Sequence, residues 1–185
     1  MSGIIGLSSK ERSGIVNESG VLSTTLTLTA NNTTVNTWYL GDSTSGSTLA
    51  IPTASEVSTP LGLACTVSNE DITFPVTGWW KVETQITFLQ QSHGYSRYVY
   101  MKPQLYDGSS WLTTGGAEAF AGNTYTGTFN SSYTAYNSGS ATTIYKIAAT
   151  NYKVRLMVSN PWTQIVLGVA TCLESGAVFT RLGDI

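Results

Sequence analysis

Charge is what this chain has least of. Only 11% of its 185 residues are charged, against roughly 25% in a typical globular domain. Lys and Arg number 9 and Asp and Glu 11, leaving a net charge of −2 and an isoelectric point near 5.3. No basic run is present, which excludes the footprint of a nucleic-acid binder or an anionic-membrane patch. Histidine is nearly missing: His93, in QQSHGYS, stands alone, too few for a His-based metal site. Cys65 in LACTV and Cys172 in VATCL lack the paired spacing of a zinc site. They read as buried thiols in strands, since a free Cys behaves as a small hydrophobe. No apolar stretch approaches the roughly 20 residues a bilayer-spanning helix needs, and the N-terminus lacks the charged-then-apolar order of a secretory signal. This points to a soluble protein outside the general secretory route. A helical stripe of three turns is also lacking.

What is there is a strand sequence. Ser and Thr make up roughly a quarter of the chain, so surface polarity is carried by hydroxyls and amides. Runs of alternating apolar and polar residues are punctuated by Gly, Asn, Asp and Ser. They fall at 21–30 (VLSTTLTLTA), 34–40, 61–68, 71–76, 77–89 (TGWWKVETQITFL), 97–106 (RYVYMKPQLY), 142–150, 151–160 (NYKVRLMVSN), 163–173 and 177–184. Residues 113–142 read as a long Gly-, Asn-, Ser-, Thr- and Tyr-rich stretch with at most two short strands. Pro103 donates no ladder hydrogen bond, so its strand is expected at an edge or bent there. Eight to ten strands in a chain of this length predict one all-β domain, an antiparallel jelly-roll sandwich, over residues 21–185. Residues 1–20, with only the short apolar clusters Ile4-Ile5 and Ile15-Val16, read as an extended N-terminal arm that lies against something else, its own body or another chain.

The doubled tryptophan needs its own account. Neighbouring side chains on a strand face opposite sides, so Trp80, Val82, Thr84, Ile86 and Phe88 form a core face while Trp79 shares the polar one. A trimer axis or an overlying segment is expected to cover Trp79.

Catalytic groups are scarce. No serine sits in a G-x-S-x-G elbow and no phosphate-cradling loop is present. Asp42 (GDST), Asp107 (YDG), Glu70-Asp71 and Glu174 read as turn residues. Glu118, in GGAEAFAG, is the one acid in an apolar setting. The expectation is a protein that is not an enzyme, with no cofactor; a calcium ion at Asp42 or Asp107 is left open. Binding is better supplied, because aromatics with small polar neighbours fall in apparent loops: Trp111, Tyr125, Tyr133, Tyr136 and Trp162. Such residues stack on sugars or pack against protein.

The order FPVTGWWKVETQITF (74–88), NYKVRLMVSN (151–160) and AVFTRLGD (177–184) resembles the C1q and tumour-necrosis-factor-like jelly rolls. Phe74, Gly78, Trp80, Val82, Phe179 and Leu182 stand at the matching positions, with Trp80 where the family usually has tyrosine. The resemblance covers roughly residues 60–185. A short MSGIIG…SGIV opening before a jelly roll ending in RLGD also resembles small virion proteins of tailed bacteriophages, which are decoration (cement) proteins or tail-fibre tips and generally homotrimers. That second resemblance implies a trimeric capsid-decoration protein, made in the host cytoplasm and placed on the capsid surface, with the major capsid protein as partner. Ile4, Ile5, Ile15 and Val16 would anchor the arm, with Lys10, Glu11 and Arg12 as its polar rim. Trp79, Tyr98 and Tyr100 are the expected trimer contacts. The alternative is a tail-fibre or receptor-binding tip gripping host surface polysaccharide through Trp111, Tyr133 and Tyr136.

Overall fold

The computed structural model describes residues 22–34, 36–53, 62–91, 97–112, 116–123, 134–161, 165–169 and 173–185. Among them the strands run β1 (Ser23–Leu28), β2 (Asn36–Tyr39), β3 (Leu49–Ala50), β4 (Thr66–Ser68), β5 (Asp71–Thr73), β6 (Gly78–Gln91), β7 (Arg97–Tyr106), β8 (Trp111–Leu112), β9 (Ala119–Asn123), β10 (Thr134–Ile147), β11 (Lys153–Asn160), β12 (Ile165–Val166) and β13 (Gly176–Gly183). They form two antiparallel sheets. Sheet one has the order β10-β6-β13-β1-β3, with β12 extending the β13 side of β6 at Phe88 and Leu89. Sheet two has the order β4-β5-β11-β7-β8, with β2 also beside β11 and β9 also beside β7. Each sheet draws strands from both halves of the chain, as the expected jelly-roll sandwich requires.

Strand alternation builds the core as the sequence implies. Trp80, Val82, Ile86 and Phe88 of β6 are fully buried, and Phe179 of β13 meets them between the sheets. Phe74 packs on Trp80 at 5.1 Å between ring centroids and edge-on to Phe179 at 6.0 Å. Burial of each such side chain stabilises the fold by about 1.5–3 kcal/mol. Gly78 opens β6 with φ +144°, and a Cβ there would meet the Gly183 carbonyl and lie 2.8 Å from Arg181 Nε. That Nε donates to the Thr77 carbonyl (3.1 Å), while the same guanidinium pairs with Asp184. The space that only glycine leaves open is thus filled by a buried arginine closing one end of the sandwich.

One sequence expectation needs correction. The polar stretch before residue 142 holds more than short strands: β10 begins at Thr134 and pairs with β6 through fourteen consecutive residues, from Thr134↔Gln91 to Ile147↔Gly78. Its polarity has two causes. Outward residues such as Ser138, Ser140 and Thr142 face solvent, and the inner side has no room, because a Cβ at Gly139 would strike the Phe120 carbonyl of β9. Pro103 lies within β7 opposite Leu156 of β11, so β7 is paired on that side. On its other side, among the described residues, β9 pairs with 97–101 and β8 with 105–106. The proline falls between them, where β7 has no described ladder partner and is locally an edge, as its missing N–H leads one to expect.

Candidate functional site

The titratable groups are mostly absorbed by local structure. Asp42 caps the short 3-10 turn at Ser43–Ser45, accepting from the Thr44 N–H (2.8 Å) and hydroxyl (2.7 Å). Asp107 accepts from the Ser109 hydroxyl (2.7 Å) and from the Ser109 and Ser110 N–H groups (2.9 Å each). Those bonds, the Ser109 hydroxyl foremost, hold its carboxyl below the ordinary value. Glu118 is not in an apolar niche: it is half exposed and pairs with Lys102 at 3.4 Å. Asp71 pairs with Lys153 at 2.7 Å, which raises the lysine above its ordinary value. Cys65 is buried, with its thiol pushed up to about 12 by desolvation; Cys172 and His93 lie outside the described residues. Among the described residues no three His, Cys, Asp or Glu side chains gather where they could hold a metal ion.

The surfaces with character are the outer faces of the two sheets. On sheet one, Trp79 is 42% exposed while its neighbour Trp80 is 0% exposed. Trp79 lies opposite Lys146, and the next pair along is Lys81 with Ile144, itself 55% exposed. The tryptophan and isoleucine therefore sit diagonally on one face, ringed by two lysines. Further along, a groove of about 300 Å³ is lined by Glu83, Gln85, Ser140, Thr142, Leu173 and Val178.

The outer face of sheet two is organised around Arg155 on β11. Its guanidinium lies over the Tyr39 ring on one side of β11 and over the Trp111 ring on the other, with Cζ 4.1 Å from each centroid. Its Nε donates to Gln104 Oε1 at 2.9 Å, and Gln104 Nε2 contacts the Met157 sulfur at 3.3 Å. Gln104 is only 5% exposed although it points away from the core. Tyr106 tilts against Trp111 at 5.4 Å. At the other end of β7, Tyr98 stacks on Tyr100 (6.4 Å) and on Phe120 of β9 (5.5 Å), and Phe120 lies over Gly122.

Of the residues marked from sequence, the whole arm set (Ile4, Ile5, Lys10, Glu11, Arg12, Ile15, Val16) and Tyr133 lie outside the described residues. Trp79 is not brought together with Tyr98 and Tyr100: it opens β6 on sheet one, whereas they sit on sheet two at the opposite end, where β6 finishes and β7 begins. Trp111 and Tyr136 are strand residues rather than loop residues, one on each sheet. Tyr136, 66% exposed, lies opposite Leu89 on the outer face of sheet one, whereas its neighbour Asn137 turns the other way and donates to the Gly122 carbonyl. The sequence reading missed Phe120, Ile144, Tyr39 and Arg155. Ile144 was available from the alternation in TTIYKI; the Arg155 site joins three distant strands and left no local signal.

No family model matches the sequence. No curated protein matches it either. Among solved structures the fold is similar to murine APRIL at pH 8.5, with a TM-score of 0.52 and 10% identity over 86% of this chain and 99% of that one. It is also similar to murine APRIL at pH 5.0, with a TM-score of 0.53 and 11% identity over 88% and 99%. Eiger TNF from S. frugiperda gives a TM-score of 0.46 and 15% identity over 89% and 94%. At such identities the likeness concerns architecture, and that architecture is an all-β, antiparallel jelly roll of the tumour-necrosis-factor type.

Proposed function

We propose that this chain is a non-enzymatic structural protein that assembles as a homotrimer and decorates a virion capsid. The observation carrying the self-association is a pair of separate apolar areas. One is Trp79 with Ile144 on sheet one; the other is the cluster of Tyr98, Tyr100 and Phe120 on sheet two. Trp79 lies near the start of β6 and Tyr98 just after β6 ends, where β7 begins, so the two areas lie at opposite ends of the sandwich. Two different areas on one molecule suit head-to-tail contacts that close into a ring, and three is the copy number implied by the virion resemblance. The arm, through Ile4, Ile5, Ile15 and Val16, is the proposed contact with the major capsid protein, where several weak attachments acting together favour the assembled lattice.

Light scattering on the full chain tests the trimer, and a monomer at micromolar concentration would sink it. Deleting residues 2–17 is expected to abolish particle binding and leave a folded trimer; retention on particles removes the arm from the account. A second reading, a tip that recognises host surface polysaccharide, is favoured by one observation, the aromatic cluster of Tyr39, Trp111 and Tyr106 on the outer face of sheet two.

A further inference from the structure

We propose that the outer face of sheet two binds a carboxylate-bearing sugar, anchored by Arg155. This rests on the polysaccharide reading and narrows it to an acidic glycan. A guanidinium is planar, with two faces and a fan of five donors. Arg155 has Tyr39 and Trp111 against it at 4.1 Å each, and its Nε is spent on Gln104. The two terminal nitrogens remain, and none of the described residues accepts from them.

The other cations of this face are already matched. Lys102 pairs with Glu118 and Lys153 with Asp71, whereas no described carboxylate pairs with Arg155. A single positive charge that no described carboxylate matches calls for a monoanion, not for a polyphosphate or a nucleic acid, which takes several. Two adjacent N–H donors fit the two oxygens of a carboxylate as parallel hydrogen bonds. The site is also rigid before anything binds. Two rings hold the guanidinium, and Gln104 is fixed in turn by Met157, so little side-chain freedom is lost on binding. The half-buried rings of Tyr39, Tyr106 and Trp111 supply apolar edges and phenol hydroxyls around the cation, which suits a pyranose better than a bare ion. Tyr136, on sheet one, has no part in it.

The test is titration of the full chain, by calorimetry at low and at physiological salt, with a galacturonic acid oligomer, a neutral galactose oligomer of equal length and an oligoglutamate peptide. The uronate is expected to bind, with the neutral sugar weaker by about tenfold or more, the factor a charge-assisted hydrogen bond is worth. Arg155→Gln is expected to remove that preference. Arg155→Lys, which keeps the charge but not the fork, is expected to lose about tenfold as well, while Lys153→Gln leaves binding unchanged. Melting curves of the variants establish that they are folded. Equal binding of both sugars, or equal losses from Lys153→Gln and Arg155→Gln, overturns the acidic assignment and leaves the polysaccharide reading standing. Binding of neither sugar overturns both. Binding of oligoglutamate alone, lost in Arg155→Gln, makes the partner a protein carboxylate and also overturns the proposal.

Discussion

The two sheets share one core but present opposite kinds of outer face. On sheet two, aromatic and charged residues lie against one another: Arg155 against Tyr39 and Trp111, Lys153 against Asp71, Lys102 against Glu118. On sheet one, Trp79 and Ile144 stand among lysines and hydroxyls, 42% and 55% exposed, with nothing apolar from the described residues over them. Both faces follow from the same strand alternation. The difference lies in what the neighbours do: the Arg155 guanidinium lies over the Tyr39 and Trp111 rings, whereas neither Lys146 nor Gly183, the residues opposite Trp79, makes such a contact with its ring.

The most severe way to break the comparison is to remove what both faces stand on. Trp80→Ala deletes a fully buried ring that packs on Phe74 and is expected to cost about 3–5 kcal/mol, seen as a large drop in denaturation midpoint. Both faces should then be lost together, with the four tryptophan resonances that remain in a 5-fluorotryptophan-labelled sample collapsing in one transition. Trp111→Ala should act on one face only. It takes one ring from Arg155 and one from Tyr106, a loss of about 1–2 kcal/mol from one cation–π contact and one aromatic pair. Its prediction is specific: the fluorotryptophan signals of Trp38 and Trp80, both in the core, stay in place.

How much of this was legible beforehand depended on the range of the interaction. The inward face of β6 followed from its own alternation, and of the positions the resemblance matched, Phe74, Trp80 and Phe179 meet in the core, Phe74 packing on the other two rings. The length of β10 was not legible, because a strand whose inner side abuts the backbone of β9 at Gly139 has nothing large to alternate. The outward position of Arg155 could be read along its strand. Its placement between Tyr39 and Trp111 could not, because β2 and β8 reach it only through sheet order. A two-residue strand such as β8 offers too few positions to show a period, so Trp111 reads as loop.

A smaller effect separates the faces by pH. The turn at Asp107 carries the chain from Tyr106 to Trp111 and so sets the indole over Arg155. Its carboxyl sits below the ordinary 3.8, chiefly through the Ser109 hydroxyl. A lowered folded value means that its contribution is present above the unfolded value and lost as pH falls through the folded one. Below about pH 4 the Trp111 fluorotryptophan signal is therefore expected to broaden or shift before that of Trp79. Asp107→Asn should remove the pH dependence; an unchanged acid transition would detach the turn from the site.

The smallest expected effect on the fold belongs to Trp79→Ala. Its side chain points away from the core, its neighbours Lys146 and Gly183 make no ring contact with it, and the backbone pairing of β6 does not depend on its identity. Monomer stability should change by about 0.5 kcal/mol or less, as for surface positions away from special features. Self-association should change far more, because a large ring buried at a contact is among the residues that dominate binding energy. Sedimentation or light scattering across a dilution series, beside thermal melts at the lowest concentration, separates the two quantities. A variant that melts normally and falls apart on dilution makes sheet one's bare face a contact surface. One that keeps its oligomeric state leaves Trp79 as an exposed side chain and moves the search for the interface to the Tyr98–Phe120 edge.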